Sequence, residues 1–145
     1  MFAQLVTSFI AAMAFGVIFN IPRESLVKCG LVGMLGWMIY FAMVEMSFDS
    51  VPATLAAAFV VSILSQWFAK RYRTPMIIFS VAGIIPLVPG GMAYDAMRNL
   101  VETDYNQALQ LATKAFMISG SIAIGLVFSE VFNQILKKIP RVRRG

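Results

Sequence analysis

Five long apolar runs, at about residues 2–19, 26–46, 52–69, 76–92 and 114–136, take up most of the 145 residues and leave short polar pieces between them. Each run is close to the ~20 residues that a helix needs to cross ~30 Å of hydrocarbon. The chain is 59% hydrophobic and 13% charged, against roughly 45–50% and 25% in soluble domains. The pattern predicts an all-α integral membrane protein with five transmembrane helices, forming a single transmembrane domain over residues 1–145. The segment Met1–Phe19 lacks a basic n-region and its apolar part is longer than a signal peptide's, so it reads as an uncleaved first span.

The connectors carry the topology. Basic residues near span ends stay in the cytoplasm, and ten of the twelve, Arg23, Lys28, Lys70, Arg71, Arg73, Lys137, Lys138, Arg141, Arg143 and Arg144, fall on one side of a five-span arrangement. The other side holds Glu45, Asp49, Asp95, Glu102 and Asp104 against Arg98 and Lys114. This predicts an N-terminus outside and a C-terminus in the cytoplasm. Pro22 fits the first turn of the second helix, where a missing N–H costs nothing. The longest connector, residues 93–113, is amphipathic. Asp104 is a candidate N-cap for a helix running directly into the fifth span, while Met97, Leu100, Val101, Tyr105, Ala108 and Leu109 make an apolar stripe suited to lying on the membrane or on a neighbour. The simpler expectation is a connector that lies along the membrane surface.

Several chemistries are excluded early. The chain has one cysteine, Cys29, and no histidine, so neither a disulfide within the chain nor a Cys/His metal cluster is available. The net charge of +5 is spread over span ends and offers no continuous basic face for nucleic acid. No nucleotide-binding sequence is present, and no nucleophile has an evident base near it.

One run contradicts its own helix. "AGIIPLVPGG", Ala82 to Gly91, places two prolines and three glycines in the fourth span. Pro86 lacks an N–H and frees the carbonyl of Ala82, and Pro89 does the same to Ile85. Gly90 and Gly91 would then end the helix in conformations closed to other residues. Freed backbone groups at depth are tolerated only where protein or a wet cavity pairs them, and broken helices near the midplane are how many transporters build substrate sites. A proline kink packed between neighbours is the plainer reading.

"GIIPLVPGG" followed by "AYDAM", with "PATL" and an early "FNIPRESL", resembles the threonine/serine exporter family, specifically the small subunit of its split two-chain form, over nearly the whole chain. The resemblance implies a larger homologous five-span partner in a bacterial cytoplasmic (inner) membrane. It also implies export of small amino acids or of a dicarboxylate such as succinate, with no cofactor and no enzymatic activity. A five-span unit joined to its homologue sits inverted relative to it, the inverted-repeat plan of secondary transporters.

The candidate residues for substrate binding or translocation are Pro86, Pro89, Gly90, Gly91, Ser80, Tyr94, Asn20 and Glu130. Backbone N–H groups near Gly90 and Gly91, with hydroxyls of Ser80, Ser119 and Ser121, are the available donors for a carboxylate. Arg98 suits an outer vestibule, Asn20 and Arg23 a cytoplasmic one, and Glu45 with Asp49 an acidic mouth. Glu130 is the one carboxylate well inside a predicted span, either a functional group or one leaning to the interface beside Gln134 and Lys137. Gly30, Gly33, Gly36, Ala53, Ala56, Ala57, Gly120 and Gly125 mark close helix approaches, and Trp67 reads as an interfacial anchor. The ten methionines read as adaptable filler between helices. The alternative to an exporter subunit is an accessory or scaffold membrane protein in which the break only shapes a bundle.

Overall fold

A computed structural model describes the backbone of residues 1–142 and the side chains of residues 1–138. Six α-helices make up the described residues: α1 (Phe2–Ile18), α2 (Arg23–Glu45), α3 (Ser50–Tyr72), α4 (Met76–Ile84), α5 (Gly90–Val101) and α6 (Tyr105–Val142). A 3₁₀ turn, Ile85–Leu87, follows α4. By length and apolarity α2, α3 and α6 can each cross a membrane, and α4 with α5 qualifies as a pair bent by 47°. Helix α1 is apolar but shorter, at 17 residues, a rise of ~26 Å.

Chain reversals and the break are made differently. Asn20, Ser47, Arg73 and Thr103 all have positive φ, and just beyond each the next N–H reaches back five residues: Ile21 to Gly16, Phe48 to Met43, Thr74 to Ala69 and Asp104 to Asn99. These are Schellman-type ends, which close a helix and turn the chain. Between α4 and α5 there is no such residue. Val88 is extended, and Pro89 at φ −79°, ψ 51° makes a tight turn with Gly90 N–H donating to the Val88 carbonyl at 2.8 Å. The helix axis bends there and carries on.

The direction of each helix follows from its contacts. Against α2, α1 runs antiparallel: Gly16 meets Leu26, Gly30 meets Phe9 and Met13, and Gly33 meets Ala12. Helix α3 is also antiparallel to α2, with Lys28 Nζ 3.3 Å over the Tyr72 ring at one end and Gly36 on Val61 further along. Helix α4 runs parallel to α2, as Cys29 lies near Ile78, Gly33 near Pro86. Helix α6 runs parallel to α3: Asp49 pairs with Lys114 at 3.9 Å, Gly125 meets Leu55 and Ala58, and Lys70 donates to Asn133 at 2.9 Å. Lys28, Lys70, Lys137 and Lys138 therefore gather at one end of the bundle and Glu45 and Asp49 at the other. The side chain of Arg141, with Arg143 and Arg144, lies outside the described residues.

The glycines of α2 explain its central place. Gly30, Gly33 and Gly36 are all buried and each lets a neighbouring helix approach where a Cβ would collide. Gly125 does the same for α3, with a Cβ 2.9 Å from the Leu55 carbonyl, whereas Gly120 faces nothing within 4 Å. The buried core, Val32, Ala57, Ala58, Val61, Leu87, Ile118 and Ile122, joins α2, α3, α6 and the turn after α4.

Three expectations need correction. Gly90 and Gly91 do not end the fourth helix; they open α5, and neither has positive φ. The reason is Pro89, whose fixed ring stops the preceding turn and leaves the next residues free to start a helix. Pro22 is the residue before α2 and not in its first turn. The surface-lying connector is replaced by a helical hairpin: α6 is continuous from Tyr105, Lys114 stands level with the start of α3, and the nine residues before it extend ~14 Å past the bundle along the helix axis. The Asp104 cap is present, its Oδ1 accepting the Gln107 N–H at 3.2 Å.

Candidate functional site

The break sits at mid-helix depth. A Cβ on Gly33 would come 3.5 Å from Pro86 Cγ, and Gly33 lies ten residues from one end of α2 and twelve from the other. The Ile85 carbonyl, which Pro89 deprives of its helical partner, accepts from Val88 N–H at 3.3 Å instead. The carbonyls of Pro86 and Leu87, and the N–H groups of Gly91 and Met92, find no backbone partner among the described residues. Unpaired donors at the start of α5 carry the positive end of its dipole, so the break presents acceptors on one side of Val88 and donors on the other.

Two clefts meet it. One, about 220 Å³, is lined by Gln4, Thr7, Ser8, Ala11, Trp37 and Pro86. Gln4 and Trp37 also line a second groove, whose walls include Glu45. Trp37 Nε1 donates to Gln4 Oε1 at 3.4 Å, and Ser8 Oγ and Thr7 Oγ1 donate to carbonyls one turn back, Gln4 and Ala3, which leaves the hydroxyl lone pairs free to accept. Gln4, Thr7, Ser8 and Trp37 thus place a few polar groups in largely apolar clefts between Pro86 and the end of the bundle that carries Glu45. The other cleft, between α5 and α6, is lined by Val88, Pro89, Gly90, Ala93, Phe116 and Ser119 among others. A Cβ on Gly90 or Gly91 would meet nothing within 4 Å.

The expected residues divide accordingly. Pro86 is joined to Gln4, Thr7, Ser8 and Trp37, none of which the sequence reading picked out. Their signal was present: Gln4, Thr7, Ser8 and Ala11 recur at i, i+3, i+4 and i+7, the spacing of one helix face. Pro89 and Gly90 share a cleft with Ser119, and Gly91 opens beside them. Ser80 is buried on α4, and Ser121 on α6 donates to its own helix at Met117. Tyr94 is 69% exposed and lines neither cleft. Asn20 is at the far end of α1, where its positive φ closes the helix. Glu130 is exposed on α6. Glu45 lines the groove, but Asp49 lies in a separate pocket with Lys114 and caps α3 through the Ser50 N–H at 2.7 Å, so the two do not form one mouth. Arg98 is held by Glu102 at 3.1 Å.

Broken apolar helices recur in transporters, and residues 4–132 match the family described as Threonine/Serine exporter, ThrE. The chain belongs to the threonine/serine exporter family. No solved structure matches it. The exporter family is one of transporters and not of enzymes, and its membership together with several long apolar helices makes this a multi-pass membrane protein. The groove and the break bring together the Thr7 and Ser8 hydroxyls, the Gln4 amide, the Trp37 indole N–H and free backbone groups, with Glu45 in the second groove. Among the described residues no group of three or more His, Cys, Asp or Glu side chains is arranged to hold a metal ion.

Proposed function

We propose that the chain is a membrane subunit of a secondary transporter that exports small amino acids such as threonine and serine, or a dicarboxylate such as succinate. It works with a larger homologous subunit in a bacterial inner membrane. In this reading residues 1–145 are one transmembrane unit of five spans, with α4 and α5 together making the fourth. The alternating helix directions and the basic end of the bundle support an external N-terminus and a cytoplasmic C-terminus.

The observation that carries the reading is the mid-depth break with unpaired backbone groups beside the Gln4–Trp37–Pro86 groove. The solute enters the site from the cytoplasmic side, is held at Pro86–Gly91 by backbone groups and hydroxyls, and leaves along the groove past Glu45. The partner supplies the complementary half of the site. Pro86, Pro89, Gly90 and Gly91 contact the solute, and Ser80, Tyr94, Asn20 and Glu130 are second candidates along the route.

The test is reconstitution of the two subunits in liposomes loaded with labelled threonine, serine or succinate. Replacing Pro86 and Pro89 together by Ala restores a continuous helix and is expected to abolish most of the flux while the subunits still copurify. Normal flux in the double variant would assign the break to bundle shaping alone, the scaffold reading.

A further inference from the structure

The seam between α3 and α6 changes character along its length. On α3 the residues Ala58, Ser62, Gln66 and Lys70 recur every fourth position, which places them on one stripe. That stripe faces α6, because Ala58 meets Gly125, Gln66 Nε2 donates to Ser129 Oγ at 3.3 Å and Lys70 Nζ donates to Asn133 Oδ1 at 2.9 Å. Near Ala58 and Gly125 the seam is apolar and tight. From Ser62 onward it is polar, and over the ~12 Å from Ser62 to Lys70 it runs from a sealed interior to the exposed basic end of the bundle.

Close packing alone does not account for these side chains. Ser62 and Ser129 are 0% exposed and Gln66 is 7% exposed, and Ser62 Oγ has no hydrogen-bond partner among the described residues. An unpaired hydroxyl buried in a membrane bundle is costly, and alanine, present one turn away at Ala58, would pack as well without that cost. Gln66 makes one side-chain hydrogen bond among the described residues although its amide has two donor hydrogens and an acceptor. The Ser62 hydroxyl, unpaired while the seam is closed, gains a partner when water enters, and Gln66 has hydrogen-bonding capacity to spare.

We propose that this seam is the cytoplasmic half of the translocation route, closed in the present conformation, and that it parts between Gln66 and Ser129 to admit water and a small polar solute. The proposal rests on the exporter reading for its solute, but not for its hydration. Ser62, Gln66 and Ser129 line the opened passage. Lys70 and Asn133 form its rim, and their hydrogen bond breaks as it opens. Gly125 and Ala58 stay in contact and act as the pivot.

The test uses the chain with its partner and Cys29 replaced by Ala, so that introduced thiols are the chain's only ones. Ser62→Cys is expected to react with a charged, membrane-impermeant thiol reagent applied from the cytoplasmic face. Val61→Cys, one residue away but packed on α2 and α4, is expected to stay unreacted. Equal reactivity of the two, or none at Ser62→Cys, overturns the proposal. A second variant, Gln66→Cys with Ser129→Cys, is expected to export when reduced and to lose export when oxidised to the disulfide, with recovery on reduction. Undiminished export by the oxidised pair also overturns it. Labelling at Ser62→Cys in a complex that moves none of the tested solutes would leave the hydrated seam standing and remove the exporter reading instead.

Discussion

Pro86 packs its ring on the bare backbone of Gly33, where a Cβ would lie 3.5 Å from Pro86 Cγ and 2.6 Å from Ala12 Cβ. The first distance is ordinary contact and the second is a collision. Three elements, α1, α2 and the turn after α4, are thereby fixed at the point where the fourth helix breaks. The bend is held from both sides, which is how a helix interrupted by proline keeps one geometry instead of flexing.

Gly33→Ala is accordingly expected to force α1 off α2 and to destabilise the bundle by about 1–3 kcal/mol, the usual cost of overpacking. Gly90→Ala should behave in the opposite way. It adds a methyl where nothing lies within 4 Å, at a helical position without positive φ, so stability should hold or rise by up to ~1 kcal/mol, while flux falls because the methyl occupies the solute's approach to the backbone. Thermal unfolding in detergent and flux in liposomes, measured on both variants, check the pair. A Gly33→Ala protein as stable as the parent would show that α1 and α2 do not meet as described.

How much of this was legible in the sequence depends on which signal the membrane leaves intact. Helix existence, the break and the Asp104 cap were readable because proline, glycine and capping residues act on the local backbone. Packing faces were less so. In a soluble helix an apolar stripe reports the buried face, but here exposed residues such as Val127 and Phe128 are as apolar as the core. Nothing in the sequence pattern links Ser62 and Gln66 on α3 to Ser129 on α6, and only the register of the two helices brings them together. Gly90 and Gly91 were misplaced for a related reason. Glycine after proline permits either a helix stop or a helix start, and the choice was made by the turn at Pro89.

The α5–α6 hairpin offers a separate check. Asp104 Oδ1 accepts the Gln107 N–H at 3.2 Å at the start of α6. Asp104→Ala should cost ~1 kcal/mol and Asp104→Asn much less, as expected for a helix N-cap. The loss belongs to the projecting segment before Lys114, so amide exchange should quicken over residues 105–113 and stay unchanged beyond Gly120. Uniform quickening along α6 would mean that the segment is not an extension of the bundle's helix.

Topology can be tested without any solute. With Cys29→Ala as background, Ser47→Cys at the turn between α2 and α3 is expected to react with an impermeant thiol reagent from outside intact cells, and Lys137→Cys only after the inner face is exposed. Both positions are exposed, so reactivity reports side and not burial. The reverse pattern would invert the orientation drawn from the basic residues and with it the direction assigned to the seam and the groove.

The last expectation concerns the groove itself. Gln4 is the one residue shared with Trp37 by both of its sections, and its amide is oriented by the Trp37 Nε1 hydrogen bond at 3.4 Å. Gln4→Leu removes the polar end of the side chain and shortens it by one atom. A typical hydrogen bond contributes about 1 kcal/mol net, so the KM for the exported solute should rise about fivefold with little change in the amount of assembled complex. Trp37→Phe, which frees the Gln4 amide without removing it, should raise KM less. The two changes combined should cost less than their sum, because each disturbs the same pair. Strict additivity would mean that Gln4 and Trp37 act independently on the solute, and an unchanged KM in Gln4→Leu would take this groove off the export route.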